Sequence, residues 1–390
     1  MALLLAASLA LLPRAEAWWD NGHMLVAQVA RLDLEPREAE RLDAFLAAWA
    51  PDFPDSSDVV SAAVWPDVVK RWRPDAGAHP GALAAFDAWH YANRPFNPDG
   101  LELAAGLQAP GEQPSVTWAL NQAAFTFRHS ETPFAFNFML RYMLHLVGDV
   151  HQPLHTSTGY FDDERRGHLP HGDQGGNAFR IEAPAGVGAG NLHALWDCAA
   201  GLYLHKWPFS GEETEELRRN ATRLMRALPR SSFPECDAAE VAECFGTGTC
   251  GAVFDRWANE SAQLAAREAY GHGVTYGARP SAEYLANVRN VSQRRLTLAG
   301  YRLADVLRAM VLPRLPPQSP AKVAVQLSAA AARRPRAARP SFVLAQRLFT
   351  ASCGLLVVTA VLLAVGLRRV GAKQAALLQE RERLLSVDAF

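Results

Sequence analysis

The chain has 390 residues, 49% of them hydrophobic, ample for a packed core and long enough for one to three domains. Its formal net charge is −1. No global basic excess marks it as a polyanion binder, so any polyanion must be met by a local site.

Residues 1–17, MALLLAASLALLPRAEA, carry an apolar run from Ala2 to Leu12 and end in the small-x-small pattern Ala15-Glu16-Ala17. This is the pattern of a signal peptide, and cleavage after Ala17 leaves Trp18 as the first residue. Residues 18–312 are predicted to form one domain that is mainly helical. Pro133–Val150 and Glu212–Leu228 read as helices. Asn177–Glu182 is the only strand candidate. Ser281–Leu312 places Tyr284, Val288, Val291, Leu298, Tyr301, Met310 and Val311 at roughly helical spacing, with Pro280 before it and Pro313 to stop it. Residues 313–347, rich in Pro, Ala and Arg, read as a stalk, and the basic run Arg333–Arg339 reads as solvated linker.

Residues 348–367 form a 20-residue stretch without a charge, and Arg368, Arg369 and Lys373 follow it. At about 1.5 Å per residue the stretch spans the roughly 30 Å hydrocarbon core of a bilayer. The basic residues predict a cytoplasmic tail over 368–390, hence a single-pass type I anchor with the domain outside the cytoplasm, at the cell surface or in an endosomal lumen. Other features agree with that side of the membrane. Asn220-Ala-Thr222, Asn259-Glu-Ser261 and Asn290-Val-Ser292 are glycosylation sequons. Cys198, Cys236, Cys244 and Cys250 allow three disulfide connectivities; Cys244 and Cys250 are close enough to close a small loop, which would leave Cys198 with Cys236.

The chemistry-bearing segment is Arg141–His155, RYMLHLVGDVHQPLH. His145 and Asp149 are four residues apart and share a helix face, and His155 follows the break at Gln152-Pro153. A second such pair is His193 and Asp197, in Asn191-Leu-His193-x3-Asp197. One His–Asp pair is more often a structural hydrogen bond. Two pairs with His155, His23, Asp67 and His90 invert that reading. Imidazole and carboxylate ligands without cysteine suit zinc in a hydrolytic site. The remaining seven histidines, among them His151, His168 and His171, are assigned no metal role.

Taken in order, Trp18…Gly22-His23, Trp65-x-Asp67, Trp89-His90-Tyr91, His145-x3-Asp149-x5-His155, Gly175-Gly176-Asn177 and Asn191-Leu-His193-x3-Asp197 resemble the zinc-dependent single-strand nucleases of fungi and plants. The membrane-anchored arrangement looks like the trypanosomatid 3′-nucleotidase/nuclease. The resemblance covers about Trp18 to Val311. It implies a single compact, mainly α-helical domain with a three-zinc cleft, to which the C-terminal transmembrane helix is added. One zinc would take Asp67, His90, His145 and Asp149. A neighbour would take His23, Asp149 as a bridge, and the α-amino and carbonyl groups of Trp18. The third would take His155, His193 and Asp197.

The same resemblance implies cleavage at the sugar 3′-oxygen of single-stranded DNA or RNA and of 3′-nucleotides. Asp67 would orient the nucleophile, Lys70 and Asn177 would contact the phosphate, and Tyr91 would stack a base. No obligate protein partner is implied. The chain departs from the pattern in a second tryptophan, Trp19, at the mature terminus, in Cys198 beside Asp197, and in the charged loop Phe161–Asp173. None removes a ligand. Two rivals differ in what they need: a phospholipase C would share the metal ligands, and a zinc-stabilised receptor would need closed coordination. Lys70, Asn177 and Tyr91 favour the nuclease.

Overall fold

The computed structural model describes residues 18–71, 83–103 and 114–315. The expected signal peptide, anchor and tail, and all of the stalk beyond residue 315, lie outside the described residues. Among the described residues no helix is long and apolar enough to cross a membrane.

Helix α1 (Asp20–Asp33) starts right after Trp19, and Asp20 in its first turn puts a carboxylate at the positive end of the helix dipole. It is buried without interruption from Asp20 to Ala30, so it has no solvent face there and runs through the centre of the fold. Helix α2 (Pro36–Ala47) is amphipathic and buries Ala39, Leu42 and Leu46. Two short helices follow, α3 (Val59–Ala62) and α4 (Trp65–Arg71). Asp58 caps α3 by accepting from the N–H groups of Val60 and Ser61. A tight helical turn over Ala84–His90 leads to α5 (Val116–His129), capped by Ser115, and then to α6 (Pro133–His151). The second half of α6 is buried on every side.

Helix α7 (Leu192–Asp197) starts at Asn191, whose side chain accepts from the Ala194 N–H. Beyond it stand α8 (Gly211–Ala227), α9 (Ala238–Thr247), α10 (Cys250–Leu264) and the 25-residue α11 (Ala282–Val306). Helix α11 lies along α1 in the most extensive helix pairing of the fold. The approach depends on Gly300, because a Cβ there would stand 2.4 Å from Val29 Cγ1. Past α11 the chain continues through a wider turn, Leu307–Val311, and a tight one, Leu312–Arg314. Arg41 donates to the carbonyls of Leu312 and Leu315, and Leu315 is buried, so packed chain runs three residues past 312.

The fold is mainly helical, as the sequence predicts. Pro133–Val150, Glu212–Leu228 and the start at Ser281 match α6, α8 and α11 within a residue or so. The strand expected over Asn177–Glu182 does not form; only Arg180 makes an isolated bridge, to Asn191. The turn before it explains this: Gln174, Gly175 and Gly176 all have positive φ, which coils the chain instead of extending it. Strand pairing occurs instead in three-residue pieces. Arg94–Phe96 (β1) runs parallel to Ser157–Gly159 (β2), and Phe161–Asp163 (β3) forms a hairpin with Gly167–Leu169 (β4).

Among the described residues, apolar side chains divide into two cores. The larger gathers α1, α5, α6, α10 and α11 around residues such as Leu25, Leu140, Leu144 and Leu303. The smaller gathers Leu154, Phe161, Phe179, Leu195, Trp196, Tyr270 and Val288. The disulfide between Cys244 and Cys250 joins the end of α9 to the start of α10. The pairing of Cys198 with Cys236 is corrected: both are free. Cys198 is buried in the smaller core, its thiol on the Leu195 carbonyl, while Cys236 packs against the larger core with its thiol on Asp305.

Candidate metal centre

Helix α6 delivers His145 and Asp149 from its buried half, one turn apart on one face. Gln152 then turns extended, and Pro153 starts the tight turn Pro153–Thr156 that carries His155. Helix α1 brings His23, α4 brings Asp67 and Lys70, and the turn Ala84–His90 ends on His90. Helix α7 brings His193 and Asp197 one turn apart. All of these side chains are buried.

The Asp149 carboxylate is the hub. Its Oδ1 lies 3.4 Å from His23 Nε2 and 3.5 Å from His155 Nδ1, and its Oδ2 lies 3.1 Å from His90 Nδ1 and 3.2 Å from His145 Nε2. Asp67 Oδ1 stands 3.6 Å from His90 Nδ1 and 3.7 Å from His145 Nε2. At the far side His193 Nε2 is 3.2 Å from Asp197 Oδ2, and His155 Nε2 is 3.8 Å from Asp197 Oδ1. The ligand atoms form three clusters, each within 4.8 Å: His23, Asp67 and His145; His90, His145 and Asp149; His155, His193 and Asp197. The third is the expected set. The other two share the expected residues but distribute them differently, with His23 grouped beside Asp67.

Several imidazoles are aimed from behind. His145 Nδ1 meets the Ala63 carbonyl at 2.7 Å, His155 Nδ1 the His90 carbonyl at 2.8 Å, and His193 Nδ1 the Gly175 carbonyl at 2.6 Å. A donor proton on Nδ1 leaves Nε2 as the free lone pair, which is how histidine metal ligands are oriented. The rings of His23 and His145 stack at 3.7 Å between centroids.

Electrostatics favour a cation here. Burial, with neighbouring imidazoles and Lys70, holds His23, His90 and His155 well below the usual histidine range, so they are neutral at pH 7, the form that can hold a metal. Burial also depresses His145, but Asp149 and Asp67 outweigh it and leave its pKa raised. Burial pushes the Asp149 carboxyl up to about 6 and raises Asp197 as well. Both nitrogens of His23, Asp67 Oδ1, His90 Nε2, Asp149 Oδ1 and His155 Nε2 are buried without a hydrogen-bond partner. Orphaned polar atoms are costly and rare singly, and here His23 Nε2, Asp67 Oδ1, Asp149 Oδ1 and His155 Nε2 lie in or beside the His–Asp clusters. Divalent cations would satisfy the acceptor atoms among them, one nitrogen per imidazole, and offset the buried carboxylates, so the donor set fits metal.

The other predicted residues fall around this cluster. Trp18 is buried, its indole donating to the Gly148 carbonyl at 3.0 Å. Lys70 is buried, and its charge reaches His23, His90, His155 and Asp149. Asn177 closes the Gly175-Gly176 turn, its amide donating to the Gln174 carbonyl at 2.8 Å. Tyr91 is half-buried directly after His90. His168 is exposed and pairs with Asp162, and the buried His151 bonds the Val147 carbonyl and Arg302, outside the three His–Asp clusters.

Two residues escaped the sequence reading. Gly148 lets His23 approach α6, since a Cβ there would stand 2.9 Å from His23 Nδ1. Gln152 donates to Asp197 Oδ1 at 2.6 Å. Its place between Asp149 and His155 was the available signal.

A helical fold with buried His–Asp clusters of this kind is the frame of a metal-dependent hydrolase. Residues 18–311 match the family described as S1/P1 nuclease, and the chain belongs to that family. The chain is similar to Endonuclease 1 of Arabidopsis thaliana, 25% identical over 301 residues that cover 75% of this chain and 86% of that protein. Endonuclease 2 of the same plant is 26% identical over 298 residues, covering 76% of this chain and 91% of that protein. Family membership makes the chain a hydrolase of phosphodiester bonds, of a zinc-dependent class.

Proposed function

We propose that the chain is a three-zinc phosphoesterase that cleaves the P–O3′ bond of single-stranded DNA or RNA and removes phosphate from 3′-nucleotides, on the extracytoplasmic side of a membrane. The observation that carries the reading is the convergence of eight buried ligand side chains, His23, Asp67, His90, His145, Asp149, His155, His193 and Asp197, on three adjoining clusters. The main chain of Trp18 would complete the set once a signal peptide over residues 1–17 is removed. A tag left on Trp18 would then impair zinc binding.

When bound, zinc would supply Lewis acidity, bringing water towards a pKa of about 7 and neutralising charge on phosphoryl oxygens. The chain's own groups do the rest. The buried Asp67 carboxylate would accept a hydrogen bond from the attacking water and aim it at phosphorus. The Lys70 ammonium and the Asn177 amide would hold the phosphate and stabilise its growing charge. Tyr91 would offer a ring face for a base, which tolerates any sequence and favours single strands. The domain over 18–312 would stand on the 313–347 stalk, anchored by 348–367, with Asn220, Asn259 and Asn290 open to glycosylation.

The test is phosphate release by the full chain from 3′-AMP against 5′-AMP, with and without a zinc chelator. Chelator-sensitive release from 3′-AMP alone is expected. Release from 5′-AMP, or release that survives chelation, would overturn the proposal.

A further inference from the structure

Gln152 belongs to none of the three His–Asp clusters, yet it is fully buried and spends both polar atoms of its side chain beside them. Its Oε1 accepts the Leu154 N–H and so caps the turn Pro153–Thr156 that carries His155. Its Nε2 donates to Asp197 Oδ1 at 2.6 Å, across 45 residues of sequence. One side chain therefore ties the turn of His155 to the carboxylate at the end of α7. The amide orientation is fixed by its partners, because a backbone N–H can only donate and an ionised carboxylate can only accept. Only an amide serves both ends: an ionised glutamate has no donor, and an apolar side chain has neither group.

The consequence falls on Asp197. The Gln152 hydrogen bond holds Oδ1, and Oδ2 is the oxygen 3.2 Å from His193 Nε2. Without that bond the carboxylate could turn about its last torsion. The His155 and His193 rings are each aimed by a carbonyl, and Gln152 does the same for the third member of their cluster.

We propose that Gln152 is a positioning residue for the ion of the His155–His193–Asp197 cluster, presenting Asp197 to it through Oδ2. The inference rests on the zinc reading above. The full chain and its Gln152→Glu and Gln152→Met variants would be dialysed against buffered free zinc. Bound zinc per chain would be counted, kcat and KM for 3′-AMP measured, and the melting temperature taken after chelation. Gln152→Glu keeps the acceptor for Leu154 and, while ionised, loses the donor for Asp197 and sets a like charge against it. Gln152→Met loses both at similar length.

The wild type is expected to hold three ions, and both variants two at the same free zinc. One ion is weakened about 10- to 100-fold. kcat should fall with little change in KM, and chelated Gln152→Glu, which sets a second buried carboxylate against Asp197, should melt below the wild type while still unfolding cooperatively. On an Asp197→Asn background, Gln152→Met should remove no further zinc. Three ions at wild-type affinity in either folded variant, or equal weakening of all three, would overturn the role of Gln152 alone. A wild type without zinc would overturn the zinc reading and this inference with it.

Discussion

The two sides of the centre are built differently. The Asp149 side is set mainly in helices, with His23 on α1, Asp67 on α4 and His145 with Asp149 on α6. One carboxylate there faces the imidazoles of His23, His90 and His145, and stacked rings and close packing do much of the positioning. The His155–His193–Asp197 side sits on turns and a six-residue helix, and each ligand is held from behind by a carbonyl or by Gln152. The first side concentrates its dependence in one residue. The second distributes it over several hydrogen bonds, so damage there should stay local.

The largest test of that contrast sets Asp149→Asn against His193→Ala. Asp149→Asn should abolish turnover and strip more than one ion per chain, because it removes the charge, and one of the two oxygens, that His23, His90 and His145 share. His193→Ala should lose a single ion and leave the others at wild-type affinity. Zinc counts by mass spectrometry on both purified variants decide the matter; equal losses would break the comparison. A smaller effect is expected from Gly148→Ala. Alanine favours a helix interior over glycine by up to about 1 kcal/mol. Its Cβ would nevertheless stand 2.9 Å from His23 Nδ1, and that ring is packed against His145 and cannot swing away freely. The variant should fold at near wild-type stability while binding zinc about 10-fold more weakly, a separation that denaturant titration and zinc competition would read together.

The sequence revealed this centre unevenly, and the contrast between its sides shows why. Helical spacing is local, so His145 with Asp149 and His193 with Asp197 can be read as pairs before any fold is known. Proline and serine at helix starts likewise mark α6 and α11. What depends on distant chain meeting distant chain leaves no such trace. Gly148 matters because His23 arrives from 125 residues away, and Gln152 because Asp197 arrives from 45. The grouping of His23 with Asp67 is set by how α1 meets α4, which spacing does not encode. The strands failed for a related reason: three residues are too few to show alternation, and their pairing is decided by contacts across the fold. The expected Cys198–Cys236 bond came from elimination, which assumes every thiol must pair. Cys198 instead behaves as a small apolar residue in a core.

The smallest effect, and the one most specific to the hub, appears once the metal is removed. Burial raises the Asp149 carboxyl from 3.8 to about 6 in the folded chain. A carboxyl whose folded pKa lies above its unfolded one favours folding while protonated. That contribution is complete below about pH 4 and is lost as pH rises through about 6. At pH 7 the ionised group therefore costs the metal-free fold roughly 3 kcal/mol, at about 1.4 kcal/mol per unit. Asp149→Asn removes the charge at similar shape. In chelated protein it should be more stable than the wild type at pH 7, by about 1 kcal/mol once the needs of the new amide and the lost attraction to His145 are allowed for. The advantage should shrink towards pH 4, where the wild-type carboxyl is itself neutral. Urea unfolding of both chelated proteins at pH 7 and pH 4.5 measures this. A variant less stable than the wild type at pH 7 would mean that the Asp149 side is preorganised without its cations, and that its dependence on them is no greater than that of the His155–His193–Asp197 side.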